Sequence, residues 1–155
     1  MIGAVHASIG AAVGSLFKRK SSAFLAGVVS HIVADALPHT DFPSKIEAPF
    51  LAGSLVAIAA WRGVDSPEFW GSLGAVVPDA EHGLMEVGLI KPEDEIFPTH
   101  IDYGKYHGHE TGERWSQLII AAVAILTVVT AQSCCHPELD SGSGTYEGDA
   151  ESSSA

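Results

Sequence analysis

Apolar residues run along this chain in long blocks separated by short polar breaks. None of the blocks shows the period of two that marks a half-buried strand, and each is too long for one. They predict five helices, over residues 2–17, 22–37, 47–61, 67–77 and 115–131. Ser66 and Pro67 supply an N-cap and a first-position proline for the fourth. Pro38, Pro49, Pro78 and Pro98 punctuate the pattern. Residues 79–112 are polar and rich in histidine, and everything after Cys135 reads as disordered. The expected fold is all-α: a bundle of about five short apolar helices in one domain over 1–133, then an acidic tail over 134–155.

Composition adds an expected environment. Of the 155 residues, 17% are charged and 46% hydrophobic, against roughly 25% charged in an average soluble domain. Five apolar helices in so short a chain leave little polar surface to cover them. The bundle is therefore expected to be integral to a cell membrane and multi-pass, with the lipid bilayer as a partner. Gly3, Ala7, Gly10, Ala11 and Gly14 give the first helix a small-residue face that lets backbones approach, as membrane bundles do. Only the last helix nears the ~20 residues that cross a bilayer, and a soluble, fully buried helical core is the alternative.

The formal charge of −11 argues against a nucleic-acid partner, which wants a basic face. Cys134 and Cys135 are neighbours and make no disulfide framework. They read as free thiols, with lipidation or a metal site with His136 as lesser alternatives. The basic cluster Lys18-Arg19-Lys20 follows the first apolar run instead of preceding it, so that run is expected to stay as a helix and not to be cleaved as a signal.

Up-down threading of these helices has a chemical consequence. His6 lies early in helix 1, and His31, Asp35 and His39 near the end of helix 2; Asp79 and His82 follow helix 4, and His100, His107 and His109 precede helix 5. Seven of the eight histidines then fall at one end of the bundle, with Lys18–Lys20 and Arg62 at the other. If the short basic loop is cytoplasmic, the histidine end is extracytoplasmic.

The segment "SHIVADALPHTDF" places His31 and Asp35 four apart, on one helix face, where they can grip one ion. Pro38 should end the helix and let His39 and Asp41 curl back towards the same point. Imidazole with carboxylate suits Zn²⁺, with Fe or Mn as alternatives. "PDAEH" offers Asp79 and His82 three apart, with Glu81 pointing elsewhere. His107 and His109 stand close together in a His-x-His loop. Taken singly, each has a plainer reading: a capped helix end, a solvated loop, or a core histidine. Together they hold more than one metal's worth of ligands, so a dinuclear site fits as well. No serine or cysteine nucleophile motif, phosphate loop or nucleotide fingerprint is present.

The early His6, the "PDAEH" of residues 78–82 and the later histidine cluster resemble the membrane-bound metal-dependent hydrolase family. Members carry an early His, a Pro-Asp-x-Asp-His motif and a paired-His "HRGxTHS" segment. Here Glu81 stands for the second Asp, and His107 and His109 stand in the last motif's place without its Arg, Thr or Ser. "FLAGVVSHIVADALPHTDFP" is also similar to a group of small bacterial and archaeal membrane proteins with "SHxxxDxxPHxD" after a His-bearing helix. The His-x3-Asp element is similar to one in zinc-dependent phospholipases C, which are all-helical.

The expected function is a membrane-embedded, metal-dependent hydrolase, with zinc the first choice of metal. Its substrate would be an ester or phosphoester, with a lipid-linked one fitting a site at the bilayer surface. His31, Asp35, His39, Asp79 and His82 are the expected primary ligands, completed by His6, His107 and His109. Glu81 or Asp41 is expected to take the proton from water. The alternative is a non-catalytic membrane protein whose metal is structural. A transporter would need ionisable residues across the membrane's depth, and helices 3 and 5 have none in their apolar centres.

Overall fold

The computed structural model describes residues 1–37, 39–40, 44–94, 96–97 and 115–133. The acidic tail expected over 134–155 lies outside them. Five helices follow in order: α1 (Gly3–Gly14), α2 (Lys20–Asp35), α3 (Ser44–Arg62), α4 (Pro67–Glu86) and α5 (Trp115–Ser133), with a short 3₁₀ turn at Pro92–Asp94 between the last two. The described residues are all-α, as the long apolar blocks without a period of two predict. Among the described residues no helix is long and apolar enough to cross a membrane, so the expected multi-pass spans find no support in the helices themselves.

Helices α1, α2 and α4 pack on one another as a triad, while α3 and α5 lean against α1. Glycine sets how closely the triad packs. A Cβ on Gly71 of α4 would overlap the carbonyl oxygen of Gly10 on α1, and one on Gly10 or Gly27 would overlap that of Gly71. Gly74 meets the carbonyl of Phe24 in the same way. Backbone thus meets backbone at the three-helix crossing. The Ser72 hydroxyl adds a cross-helix hydrogen bond to the Ala7 carbonyl at 2.9 Å.

Helix ends follow local rules. Ser66 Oγ accepts from the Phe69 amide at 3.1 Å, capping α4 with Pro67 in the first position. Gly63 (φ 84°) closes α3 and Gly88 (φ 76°) closes α4, each in the left-handed region where an L side chain is strained. Helix α2 stops at Asp35, two residues short of expectation, because a residue preceding proline is pushed out of helical conformation.

One boundary changes the chemistry. α4 was expected to end at 77, before its proline; instead it runs to Glu86 with Pro78 inside. Proline removes one backbone bond and crowds the carbonyl a turn earlier. That carbonyl belongs to Gly74, whose missing side chain is needed for the close approach of the Phe24 backbone. Asp79 and His82 therefore sit on the helix, and not in a loop after it.

The interior inverts the usual pattern. Its apolar residues are mostly small (Val5, Ala7, Ala11, Ala23, Ala34, Ala75 among them), and the largest fully buried side chains include His6, His31, His39, Gln117 and Asp35. Large apolar side chains point outward on three flanks: Leu25, Val29, Ile32 and Val33 on α2; Phe50 and Val56 on α3; Leu118, Ile119, Val123 and Leu126 on α5.

Candidate metal centre

The centre is built at the N-terminal end of α1, where neighbouring helices hold the first turn. The Gly3 amide donates to Glu47 Oε1 of α3 at 2.6 Å, and the Ile2 amide to Gln117 Oε1 of α5 at 3.1 Å. A carboxylate here also suits the positive end of the α1 dipole. Gln117 Nε2 donates onward to the Thr40 carbonyl at 2.7 Å, so one buried amide ties α5 to α1 and to the segment carrying His39. These contacts fix the second-turn residue, His6.

His6 is fully buried, and its Nε2–H donates to Asp35 Oδ1 at 2.9 Å. The same oxygen lies 3.1 Å from the Met1 ammonium. Asp35 Oδ2 lies 3.0 Å from His31 Nε2, one turn back on α2. The other His31 nitrogen, Nδ1, donates to the Ala75 carbonyl at 2.8 Å, in the turn of α4 that Pro78 disturbs. The two imidazoles stack with centroids 4.1 Å apart and planes 25° apart. Asp79 Oδ1 approaches His31 Nε2 to 3.8 Å. One ligand atom from each of His6, His31 and Asp79 lies within 4.8 Å of the other two.

Protonation follows from these contacts. Burial pulls His6 below the ordinary histidine range, outweighing its bond to Asp35. A neutral His6 that donates from Nε2 carries a bare lone pair on Nδ1. That Nδ1 is buried and has no hydrogen-bond partner. Burial also pulls on His31, but the Asp35 and Asp79 carboxylates outweigh it and raise it above the ordinary value. Burial likewise opposes ionisation of Asp35, yet bonds from His31 and His6, with the Met1 ammonium, hold it far below the carboxylate range. With Nδ1–H committed to Ala75, a neutral His31 would turn an Nε2 lone pair on two carboxylate oxygens. Such an arrangement needs a cation between them, either a proton or a metal ion.

The expected site residues divide accordingly. His6, His31, Asp35 and Asp79 come together. His39 is fully buried with Nδ1 donating to the Leu37 carbonyl at 2.7 Å, and His82 is half-buried one turn beyond Asp79; neither belongs to the close group. Glu81 accepts from the Ile96 and Phe97 amides, one at each oxygen, both at 2.9 Å. Its carboxylate is thereby engaged in tethering the chain after the 3₁₀ turn. Asp41, His107 and His109 lie outside the described residues. Sequence reading passed over Gln117 and Glu47. A single amide one turn into a long apolar helix was the available signal for Gln117, whereas Glu47 looked like an ordinary helix start.

Comparison of the chain with protein-family models, with curated proteins and with solved structures gave no match.

Proposed function

We propose that this chain is a metal-dependent hydrolase of an ester or phosphoester, working against a lipid surface. The carrying observation is the bare, buried Nδ1 of His6 in a cluster where His31 Nε2 faces two carboxylates. Two imidazoles and a carboxylate suit zinc, with iron and manganese as alternatives. His6, His31 and Asp79 would hold the ion, and a three-residue set leaves room for a substrate atom. Asp35 would orient His6 by accepting a hydrogen bond from its Nε2–H, the role a carboxylate plays behind a metal-binding histidine. The bound ion supplies the Lewis acidity that polarises the scissile group and acidifies water. Asp79, whose side chain is 21% exposed, provides the accessible edge.

The lipid surface rests on the inverted packing. A second protein copy would cover one apolar flank, whereas acyl chains cover α2, α3 and α5 together. Hydroxyls support an apolar surround: Ser8, Ser30, Ser54, Thr127 and Thr130 each bond back to a carbonyl of their own helix. The complete burial of His6, His31 and Asp35 favours a second reading, in which the metal only locks short helices together.

Turnover of chromogenic phosphodiesters and carboxyl esters in mixed micelles separates the two. Hydrolysis that requires added Zn²⁺, Mn²⁺ or Fe²⁺ is expected, falling by about 100-fold or more in Asp79→Asn. Tight metal binding without turnover of any ester would favour the structural metal.

A further inference from the structure

The end of the bundle opposite the metal centre carries a different chemistry. Two turns meet there, that between α1 and α2 and that between α3 and α4, joined by an ion pair from Lys20 to Asp65. The first turn exposes Leu16 (74%) and Phe17 (38%) beside the exposed Lys18, Arg19 and Lys20. The second exposes Trp61 (46%) and Val64 (59%). Arg62 stacks its guanidinium 5.7 Å from the Trp61 ring centre and donates from Nε to Glu68 at 3.1 Å. The carboxylates of this corner, Asp65 and Glu68, are thus each engaged by a cation.

We propose that this corner docks on an anionic lipid bilayer, with Lys18, Arg19 and Lys20 among the headgroups and Leu16, Phe17, Trp61 and Val64 at the acyl boundary. The argument is charge complementarity. Three consecutive cations stand out in a chain of net charge −11, so the acidic remainder turns this end towards a negative surface. The apolar side chains choose the kind of surface. A nucleic-acid backbone gives Leu16, Phe17 and Val64 nothing to bury in, while an acyl boundary does. Tryptophan beside basic residues is the composition of a membrane–water interface. The proposal rests on the lipid-surface part of the reading above and not on the metal centre, which lies at the far end of α1.

Flotation of the full-length protein with vesicles tests it, using phosphatidylcholine alone or mixed with phosphatidylglycerol. Binding is expected to favour the anionic vesicles and to weaken in high salt, where exposed charges are screened. Each cation near such a surface strengthens binding about fivefold, so Lys18→Gln/Arg19→Gln is expected to bind about 30-fold more weakly. Its helix content should be unchanged, because the Lys20–Asp65 pair is kept. Leu16→Ser should weaken binding to both kinds of vesicle. Equal binding of wild type to neutral and anionic vesicles, or undiminished binding by the double variant, would overturn the proposal. So would failure to bind vesicles together with binding to RNA or to a second copy through the same residues.

Discussion

Asp35→Ala is expected to destabilise the bundle by about 3–5 kcal/mol, the loss that follows when one partner of a buried charge pair is removed. Asp35 is the common acceptor for His6 and the Met1 ammonium, and its second oxygen sits 3.0 Å from His31. Without it, three buried groups that carry or can accept a positive charge face one another at the heart of the triad. For a chain of this size the corresponding fall in melting temperature is about 10 °C or more. Asp35→Asn preserves the shape and one acceptor oxygen but not the charge, so its melting temperature should fall between the two. If both variants melted within a degree or two of wild type, Asp35 would not be the electrostatic centre described here.

Gly71→Ala carries the other large effect, through packing alone. Its added methyl would overlap the Gly10 carbonyl oxygen and reach 2.8 Å from the Gly14 Cα, so neither obstacle is a side chain that can swing away. Overpacking usually costs about 1–3 kcal/mol, and with backbone on the opposing side the cost should reach about 3 kcal/mol or more. Gly53→Ala gives the opposite sign. A Cβ there meets nothing within 4 Å, and alanine in an exposed helical position should add about 1 kcal/mol. Thermal unfolding of the two variants side by side separates close helix contact from helix propensity. Equal effects at the two positions would refute the backbone-to-backbone crossing.

These two positions also show what sequence alone could convey. The Gly3–Gly14 spacing announced a close-packed face on α1, because small residues recur at helical spacing. It could not say that the partner was Gly71, since pairing between distant helices leaves no local trace. His31 and Asp35 were legible as a pair for the same helical reason. His6 and Asp79 joined them on the assumption of simple up-down threading, which the triad of α1, α2 and α4 satisfies. Pro78 misled, because a proline normally marks a boundary and this one stands inside a helix that runs on to Glu86. Gln117 and the Ala75 carbonyl were out of reach. Their roles come from which turns lie opposite each other, and a backbone carbonyl looks the same at every residue.

The metal centre is the central claim, and metal content tests it most directly. Protein purified without chelator, incubated with zinc, iron or manganese and passed through a desalting column, is to be measured by mass spectrometry beside Asp79→Asn. Asp79 is the partly exposed member of the cluster, so its variant keeps the buried His6–Asp35–His31 network. About one equivalent of one of these metals in wild type, and much less in the variant, is the result the account predicts. No retained metal in wild type would contradict it, leaving a bundle in which a protonated His31 is the cation that Asp35 and Asp79 surround.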